Sequence, residues 1–228
     1  INYGMQVRLI LLASSGALML LTMALIFLYA PTDAVLPVSQ RIFYVHVPMA
    51  WVGFMSFGLV LAGSVGYLLR GSAAWDALAY TAAEVGVLFM SLVLITGMLW
   101  ARPVWGVWWT WSPQLTTSLI LWLIYVAYLM LRAYGPAGTP GARYAAVLGI
   151  IGFIDVPVIY MAAKWWRDIH PDAVVGPLSE SGSLESAMFL TFMVSLLSFT
   201  VFSFYLLLER YNLRRVQERL EGFWVTYV

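Results

Sequence analysis

Long apolar stretches alternate along the chain with short polar connections, and six of the stretches are long enough to cross a membrane. A transmembrane helix needs about 20 mainly apolar residues. The stretches that meet this requirement are Leu9–Leu28, Val47–Leu69, Leu78–Leu99, Leu115–Leu131, Tyr144–Ala163 and Leu184–Leu208. The pattern therefore predicts an all-α, polytopic integral membrane protein, with six transmembrane helices in one domain over residues 1–228. We expect the first span to be retained, because its apolar run is longer than that of a signal peptide.

Basic residues in the connections predict the orientation of the spans, because cytoplasmic loops are enriched in Lys and Arg. With both termini cytoplasmic, the inner side carries eight basic residues and the outer side carries four. The outer ones are Arg41, Arg102, Lys164 and Arg167. We therefore predict cytoplasmic termini, with outer connections at about residues 30–46, 100–114 and 164–183.

Composition agrees with a membrane protein and excludes several kinds of site. The chain is 62% hydrophobic and 10% charged, whereas soluble domains are about 45–50% apolar and about 25% charged. Its net charge of +1 provides no basic field for nucleic acid. The sequence contains no cysteine, which excludes thiolate metal sites and covalent haem attachment through CxxCH. The two histidines, His46 and His170, are therefore the only imidazole ligands available to a metal or a haem iron.

Acidic residues also occur inside two of the predicted spans. Glu84 lies in the third span and Asp155 in the fifth. Each would cost about 2.5–3.5 kcal/mol near the middle of the membrane, so we expect both to face the interior of the bundle or water. Two isolated acids do not make a proton relay, which favours a role in packing and hydrogen bonding.

Residues 209–223 follow the last span and keep helical spacing between apolar positions. The apolar residues, three or four positions apart, are Leu213, Val216, Leu220 and Phe223. Charged residues separate them, which predicts an amphipathic cytoplasmic helix. We expect this helix to lie on the inner leaflet, and docking to a cytoplasmic partner is the alternative.

The middle outer connection is unusually rich in tryptophan and contains the segment WGVWWTWSPQLTT. Its indoles belong to Trp100, Trp105, Trp108, Trp109 and Trp111. One interpretation is an anchor at the level of the lipid headgroups. The other is the wall of a pocket for a flat apolar ligand, and the number of indoles favours it, because an interfacial belt needs only one or two rings per helix end.

The same segment contains signals for local structure. On a helix, Trp105, Trp108 and Trp109 would share one face. Ser112 and Pro113 form a helix-start signal, because serine caps helix N-termini and proline fits the first turn. We therefore expect the fourth span to begin directly after the tryptophans, which keeps them at the outer surface.

The two histidines lie in the outer connections on either side of the tryptophans. His46 lies in YVHVPMAW and His170 in WWRDIHPDAV. Each could be a hydrogen-bonded loop residue, or the two could be axial ligands of a haem iron, and the residues alone leave these alternatives about even. Haem propionates would suit Arg41, Arg102, Lys164 or Arg167, and the spacing does not choose among these basic residues.

Several motifs resemble one family. The segment WGVWWTWSPQLTT resembles the tryptophan-rich WWD signature, roughly WGxxWxWDxRLT, of the haem-handling membrane proteins of cytochrome c maturation. The layout is similar to that of the haem exporter protein C family, which has six spans and one histidine in each outer loop beside the signature. RIFYVHVPMAW and KWWRDIH resemble its histidine segments, and the resemblance runs from about Arg41 to the end of the sixth span. Ser112 and Gln114 replace the signature's aspartate and arginine, so roles that need those charges are not carried over.

The resemblance implies a function. It implies that haem b binds non-covalently at the outer face of the bacterial inner membrane, against the tryptophan-rich segment, with His46 and His170 as axial ligands. The haem would then pass to a membrane-anchored haem chaperone. The expected partners are an ABC-type ATPase, its membrane subunit and a small single-span protein, and the chain itself is expected to be a binding and transfer subunit instead of an enzyme. Two alternatives remain: a haem b electron-transfer anchor, and a solute transporter subunit whose aromatic loop only anchors it.

Overall fold

The protein is a bundle of long helices joined by short connections. The computed structural model describes residues 3–32, 38–136, 138–166, 170 and 184–227, with backbone alone at 3, 163, 164 and 221–227. The helices are α1 (Tyr3–Ala24), α2 (Phe43–Arg70), α3 (Ala73–Trp105), α4 (Pro113–Tyr134), α5 (Thr139–Phe153), α6 (Asp155–Trp166) and α7 (Ser186–Tyr227). A π-helical turn, Leu25–Tyr29, extends α1, and a 3₁₀ turn, Ser39–Ile42, precedes α2.

Six helical stretches are long and apolar enough to cross a membrane, which confirms the predicted number. They are Gly4–Tyr29, Ser39–Arg70, Ala73–Trp105, Pro113–Tyr134, Thr139–Ala162 and Ser186–Leu220. Across the described ranges no residue is in a β-strand. The all-α, multi-pass architecture is therefore as predicted.

Two helices extend further towards the predicted outer side than the apolar pattern indicated. Helix α2 begins at Phe43 instead of Val47, so His46 lies in its first turn and not in the preceding connection. Helix α3 continues to Trp105, so Trp100 and Arg102 are helical. The expected connection of residues 100–114 is thereby reduced to residues 106–112. Backbone hydrogen bonds propagate through polar and aromatic residues, so a helix does not end where its apolar run ends.

Helices α2 and α3 pack closely and antiparallel along a row of small residues. At four positions a glycine of one helix faces a residue of the other, and a Cβ atom added to that glycine would lie within 3.0 Å of an atom of the facing residue. The contacting pairs are Gly53 with Met90, Phe57 with Gly86, Gly63 with Ala79, and Gly66 with Trp75. At Gly63 the neighbour is backbone, because an added Cβ would lie 2.8 Å from the amide nitrogen of Ala79. Small residues at such positions allow close contact between helix backbones within a membrane.

The fifth span is interrupted where α5 meets α6. Helix α5 ends at Phe153 and α6 begins at Asp155, with a turn at Ile154 between them. Pro157 explains the break, because it has no N–H for the carbonyl of Phe153 and its ring crowds that carbonyl. The Oδ2 atom of Asp155 is buried without a hydrogen-bond partner within the described part of the chain.

The last helix runs from the sixth span into the predicted cytoplasmic tail without a break. Helix α7 has 42 residues and is about 63 Å long at 1.5 Å per residue, about twice the thickness of the hydrocarbon core. The tail is helical and continues the span without a break, and its expected position on the inner leaflet stays a prediction. Leu213, Val216 and Leu220 are 46–53% exposed on this extension.

Ion pairs join α7, α4, α3 and α1 at the end of the bundle that we expect to be cytoplasmic. Arg210 binds both carboxylate oxygens of Glu84, at 2.5 and 3.1 Å. Arg8 lies 3.2 Å from Glu209, and Arg132 binds Asp76 at 2.7 Å. The carboxylate of Glu84 is thus paired between α3 and α7, which agrees with the expected role in packing.

We predict that Gly63→Ala lowers the thermal stability of the protein in detergent. The added methyl group would press on the backbone of Ala79, which cannot yield as a side chain can, and overpacking of this kind costs about 1–3 kcal/mol. The measurement is thermal unfolding followed by tryptophan fluorescence. Gly16→Ala is the matched control, because a Cβ at Gly16 has no atom within 4 Å. Equal unfolding temperatures for the two variants would contradict the proposed close packing.

Candidate functional site

His46 packs against the C-terminal part of α3, at the end of the bundle that we expect to face outwards. Its Nδ1 atom lies 2.9 Å from the Oγ1 atom of Thr96, and its ring meets the edge of Trp100 at a centroid distance of 5.8 Å. Gly97 makes room for the ring, because a Cβ atom there would lie 3.3 Å from Cε1 of His46. Helix α3 therefore supplies a polar partner, a space and an aromatic wall for this imidazole.

His170 approaches the same end of α3 from the other side of the tryptophan-rich segment. Its ring lies 6.5 Å from that of Trp105, in an edge-to-face arrangement. Trp100 and Trp105 are separated by about 7.5 Å along the helix axis. His46 and His170 are close enough to interact electrostatically. The structure thus brings the two predicted histidines to one site, although 124 positions separate them in the sequence.

Residues 106–112 of the tryptophan-rich segment are not helical, and the predicted shared face of Trp105, Trp108 and Trp109 is wrong. Helix α3 ends at Trp105 because Gly106 adopts φ +75°, a left-handed conformation that commonly terminates helices. The amide of Gly106 closes the last turn by donating to the carbonyl of Arg102 at 3.1 Å. Residues 106–112 then run irregularly to the start of α4.

The irregular path directs the indoles to different surroundings. Trp109 is partly buried and meets the edge of Trp111 at 5.8 Å. Trp108 and Trp111 are 55% and 74% exposed. One part of the aromatic surface is therefore directed into the protein, and the other part is available to lipid or to a bound molecule.

Several buried polar atoms of this region have no hydrogen-bond partner in the portion of the chain that the structure describes. They are Nε1 of Trp100 and Trp109, Oγ1 of Thr110 and Thr116, and Oγ of Ser112. Buried polar atoms are usually paired, and a buried indole N–H normally finds an acceptor. The concentration of unpaired atoms between α3 and α4 favours a site that a polar ligand or water completes. A macrocycle with apolar faces and carboxylate arms fits such surroundings.

Ser112 occupies the predicted N-cap position, and α4 begins at Pro113 as expected. The carbonyl of Ser112 accepts the first helical hydrogen bond, from Thr116 N at 2.9 Å. The Ser112 side chain, however, makes no capping hydrogen bond. The expected side-chain cap is therefore wrong, and the serine hydroxyl is one of the unpaired groups.

The two described basic candidates make contacts of their own near the site. Arg102 donates to the carbonyl of Gly106 and lies 5.9 Å from the ring centre of Trp108, so it supports the turn after α3. Arg41 lies over the ring of Phe27 at 5.3 Å. Neither contact uses all five donors of a guanidinium group. The side chain of Lys164 and the whole of Arg167 lie outside the described residues.

Residues that the sequence analysis did not select also contribute to this end of the molecule. Thr96 and Gly97 on α3 contact His46, and Trp165 and Trp166 at the end of α6 are more than half exposed. Thr96 lies one helical turn before Trp100, and a polar residue in that position of an apolar span indicates a candidate site residue. Its contact with His46 depends on how α2 and α3 pack, which local patterns do not show.

The fold and the site define a multi-pass membrane protein with two histidines and several indoles at one end of its helical bundle. A family model described as Heme exporter protein C matches residues 2–226. The chain belongs to the heme exporter protein C family, and membership implies a role in haem handling for cytochrome c maturation.

Named relatives agree with this membership. Heme exporter protein C of Bradyrhizobium diazoefficiens is 35% identical over 172 residues, which cover 75% of this chain and 65% of that protein. The protein of the same name from Haemophilus influenzae is 31% identical over 198 residues, covering 86% of this chain and 80% of the relative. Heme exporter protein C of Escherichia coli K12 is 32% identical over 193 residues, which cover 84% of this chain and 74% of that protein. The match therefore spans slightly less than two thirds of the Bradyrhizobium protein and more of the other two.

We predict that Ser112→Ala does not lower the stability of the protein. A working serine cap contributes about 0.5–2 kcal/mol, but the Ser112 side chain forms no cap bond. Ser72→Ala is the matched variant, because the hydroxyl of Ser72 accepts from the amide of Ala74 at 3.3 Å at the start of α3. Thermal unfolding in detergent should show a loss for Ser72→Ala only. A larger loss for Ser112→Ala would show that its hydroxyl does cap α4.

Proposed function

We propose that the chain binds haem b non-covalently, as cargo, at the outer ends of α2 and α3, with His46 and His170 as the axial ligands of the iron. The observation that carries the proposal is the arrival of the chain's two imidazoles at one end of α3, beside Trp100 and Trp105. A porphyrin supplies four nitrogens to its iron, so two neutral imidazoles complete six-coordination. No third metal-ligating side chain joins the histidines among the described residues, and such a pair suits haem better than a bare metal ion.

The surroundings of the histidines support a flat, amphiphilic cargo. Indole rings offer apolar faces and edges to a porphyrin, and the unpaired N–H groups of Trp100 and Trp109 can donate to its polar periphery. Arg102 and Arg41 have donors left for propionates, and we retain Lys164 and Arg167 as candidates for the same role. The exposed rings of Trp108 and Trp111 leave part of the site open, which suits a molecule that has to leave again.

We propose that the haem passes from this site to a membrane-anchored haem chaperone. Release from this chain would require the exchange of its two axial ligands, because the sequence has no cysteine for a thioether bond to the haem. The family resemblance implies that a histidine of the chaperone then becomes covalently attached to the haem, and the chain would act as a binding and transfer subunit. Family resemblance supports a complex with an ABC-type ATPase, its membrane subunit and a small single-span protein, in the bacterial inner membrane with the haem site facing outwards.

An electron-transfer haem anchor is the second candidate, and the positions of the histidines argue against it. Such anchors hold their haem well inside the membrane, between helices. His46 lies in the first turn of α2, and His170 follows the end of α6. A site at the helix ends favours delivery to an external acceptor.

We predict that the detergent-purified chain, loaded with haem, has the absorption spectrum of a six-coordinate, low-spin haem. His46→Ala and His170→Ala should each remove one axial ligand and therefore shift the spectrum or weaken haem retention. The measurement is absorption spectroscopy of the ferric and ferrous forms at equal protein concentration. An unchanged spectrum in the double His→Ala variant would exclude these residues as ligands.

Haem content should also depend on the tryptophan-rich segment. An aromatic contact contributes about 0.5–1.5 kcal/mol beyond its buried area, so Trp108→Ala and Trp109→Ala should each weaken haem binding roughly two- to tenfold. Titration of the apo protein with haem measures this effect. Trp51→Ala is the control, because Trp51 is a half-exposed indole that binds Thr200 on α7. Unaltered binding in both loop variants would favour the third candidate, a transporter subunit whose aromatic loop only anchors it.

A further inference from the structure

The hydroxyl group of Thr96 contacts both the imidazole of His46 and the backbone of its own helix. Its Oγ1 atom lies 2.9 Å from His46 Nδ1. The same atom lies 2.7 Å from the carbonyl oxygen of Leu92 and 3.2 Å from that of Val93. Thr96 therefore has three close polar neighbours.

These three contacts determine the direction of each hydrogen bond. A hydroxyl group has one hydrogen to donate and two lone pairs that accept, whereas a carbonyl oxygen only accepts. If Thr96 donated to His46, its oxygen would face the carbonyl of Leu92 at 2.7 Å with no hydrogen between the two oxygens, which is repulsive. The Thr96 hydrogen therefore points to the helix backbone. The imidazole must then be the donor, through Nδ1–H.

We infer that Thr96 is a positioning residue that holds His46 as the Nδ1–H tautomer and leaves the lone pair of Nε2 for a ligand. The tautomer follows from hydrogen bonding alone, whereas the identity of the ligand as haem iron rests on the proposed function. Metal-ligating histidines usually donate their second N–H to a neighbouring acceptor, which fixes the ring and its tautomer. In this chain a hydroxyl on the adjacent helix provides that acceptor.

The rest of the His46 pocket supports the same orientation. The space above Gly97 admits the Cε1 edge of the ring, where an added Cβ would lie at 3.3 Å. Trp100 meets the ring edge-on at 5.8 Å. These contacts therefore hold the imidazole against α3, and the bond to Thr96 determines which nitrogen remains for a ligand.

The nature of the acceptor affects how strongly a ligand is held. A carboxylate acceptor would draw the Nδ1 proton and increase the electron donation of Nε2. A neutral hydroxyl that already donates to Leu92 polarises the ring much less. His46 is thereby presented as a neutral ligand of moderate strength, which suits a cargo that is later given up.

The direct test is nitrogen NMR of the ligand-free protein with ¹⁵N-labelled histidine. The chain has two histidines, so the spectrum contains two rings, and His170→Gln assigns them. At about pH 8, above the ordinary imidazole pKa of about 6.5, we expect a protonated Nδ1 and an unprotonated Nε2 on His46. Thr96→Val should convert the ring to the Nε2–H tautomer or to a mixture, and Thr96→Ser should restore the original tautomer. A wild-type ring in the Nε2–H form, or no change in Thr96→Val, would overturn the inference.

Thr81→Val is the matched control. Thr81 lies on the same helix, and its hydroxyl donates to the carbonyl of Ala77 at 2.8 Å, as that of Thr96 does to Leu92. Among the described residues Thr81 forms no hydrogen bond with a histidine, so its substitution should leave the His46 tautomer unchanged. A tautomer change in Thr81→Val would mean that loss of any hydroxyl from α3 disturbs the ring, which would overturn the specific role of Thr96.

Haem binding provides a second measurement that separates this inference from the proposed function. Loss of a histidine's hydrogen-bond partner typically weakens metal binding about 10- to 100-fold, so Thr96→Val should bind haem that much more weakly than the wild type, and Thr96→Ser should recover. If the wild type binds haem and Thr96→Val binds it equally well, the positioning role is overturned. If the tautomers are as expected but neither the wild type nor any variant binds haem, the positioning role is supported and the proposed function is refuted.

Discussion

The rest of the site depends on the close antiparallel contact between α2 and α3. Small residues along this contact bring the helix axes so near that a single added methyl at Gly63 would collide with the backbone of Ala79. The same row continues to the outer end, where Gly97 leaves space for the ring of His46. Because the two helices are rigid and in fixed register, their packing along this row sets the distance between His46 and Thr96. The contact of His46 with Thr96 is thus a consequence of helix packing that extends from Ala79, 17 residues before Thr96 on α3.

Polar groups serve different purposes at the two ends of the bundle. At the end that we expect to face the cytoplasm, charged residues pair with one another: Glu84 with Arg210, and Asp76 with Arg132. These pairs connect α7 and α4 to α3. At the opposite end, indole and hydroxyl groups from the last turns of α3 to the first turn of α4 are buried without protein partners in the described structure. Since buried polar groups normally have hydrogen-bond partners, a ligand or water that pairs with these groups would stabilise this end.

Much of the architecture could be predicted from the sequence, because a span in a bilayer has to be long, apolar and helical. The start of α4 at Pro113 also followed from local chemistry. The misplaced starts and ends of helices have one cause, which is that polarity marks the limit of the membrane but not the end of a helix. Helix α2 therefore begins before His46, and α7 passes Leu208 without interruption. The residue that does end α3 is Gly106, through its positive φ, and the contact between Thr96 and His46 could not be predicted because it requires the register of two helices.

A protein that carries a cofactor to another protein has to balance retention against release. Two imidazole ligands and an aromatic wall favour retention, and strong acceptors behind the histidines would increase it further. The structure instead provides a hydroxyl behind His46, which is already engaged with the backbone of α3. It also leaves Trp108 and Trp111 largely exposed, which in the proposed function would let an acceptor approach the bound molecule. A ligand that is neutral, well oriented and only moderately polarised exchanges more readily than one backed by a carboxylate. In the proposed function, Thr96 would therefore orient His46 while keeping its bond to the cargo weak enough to break.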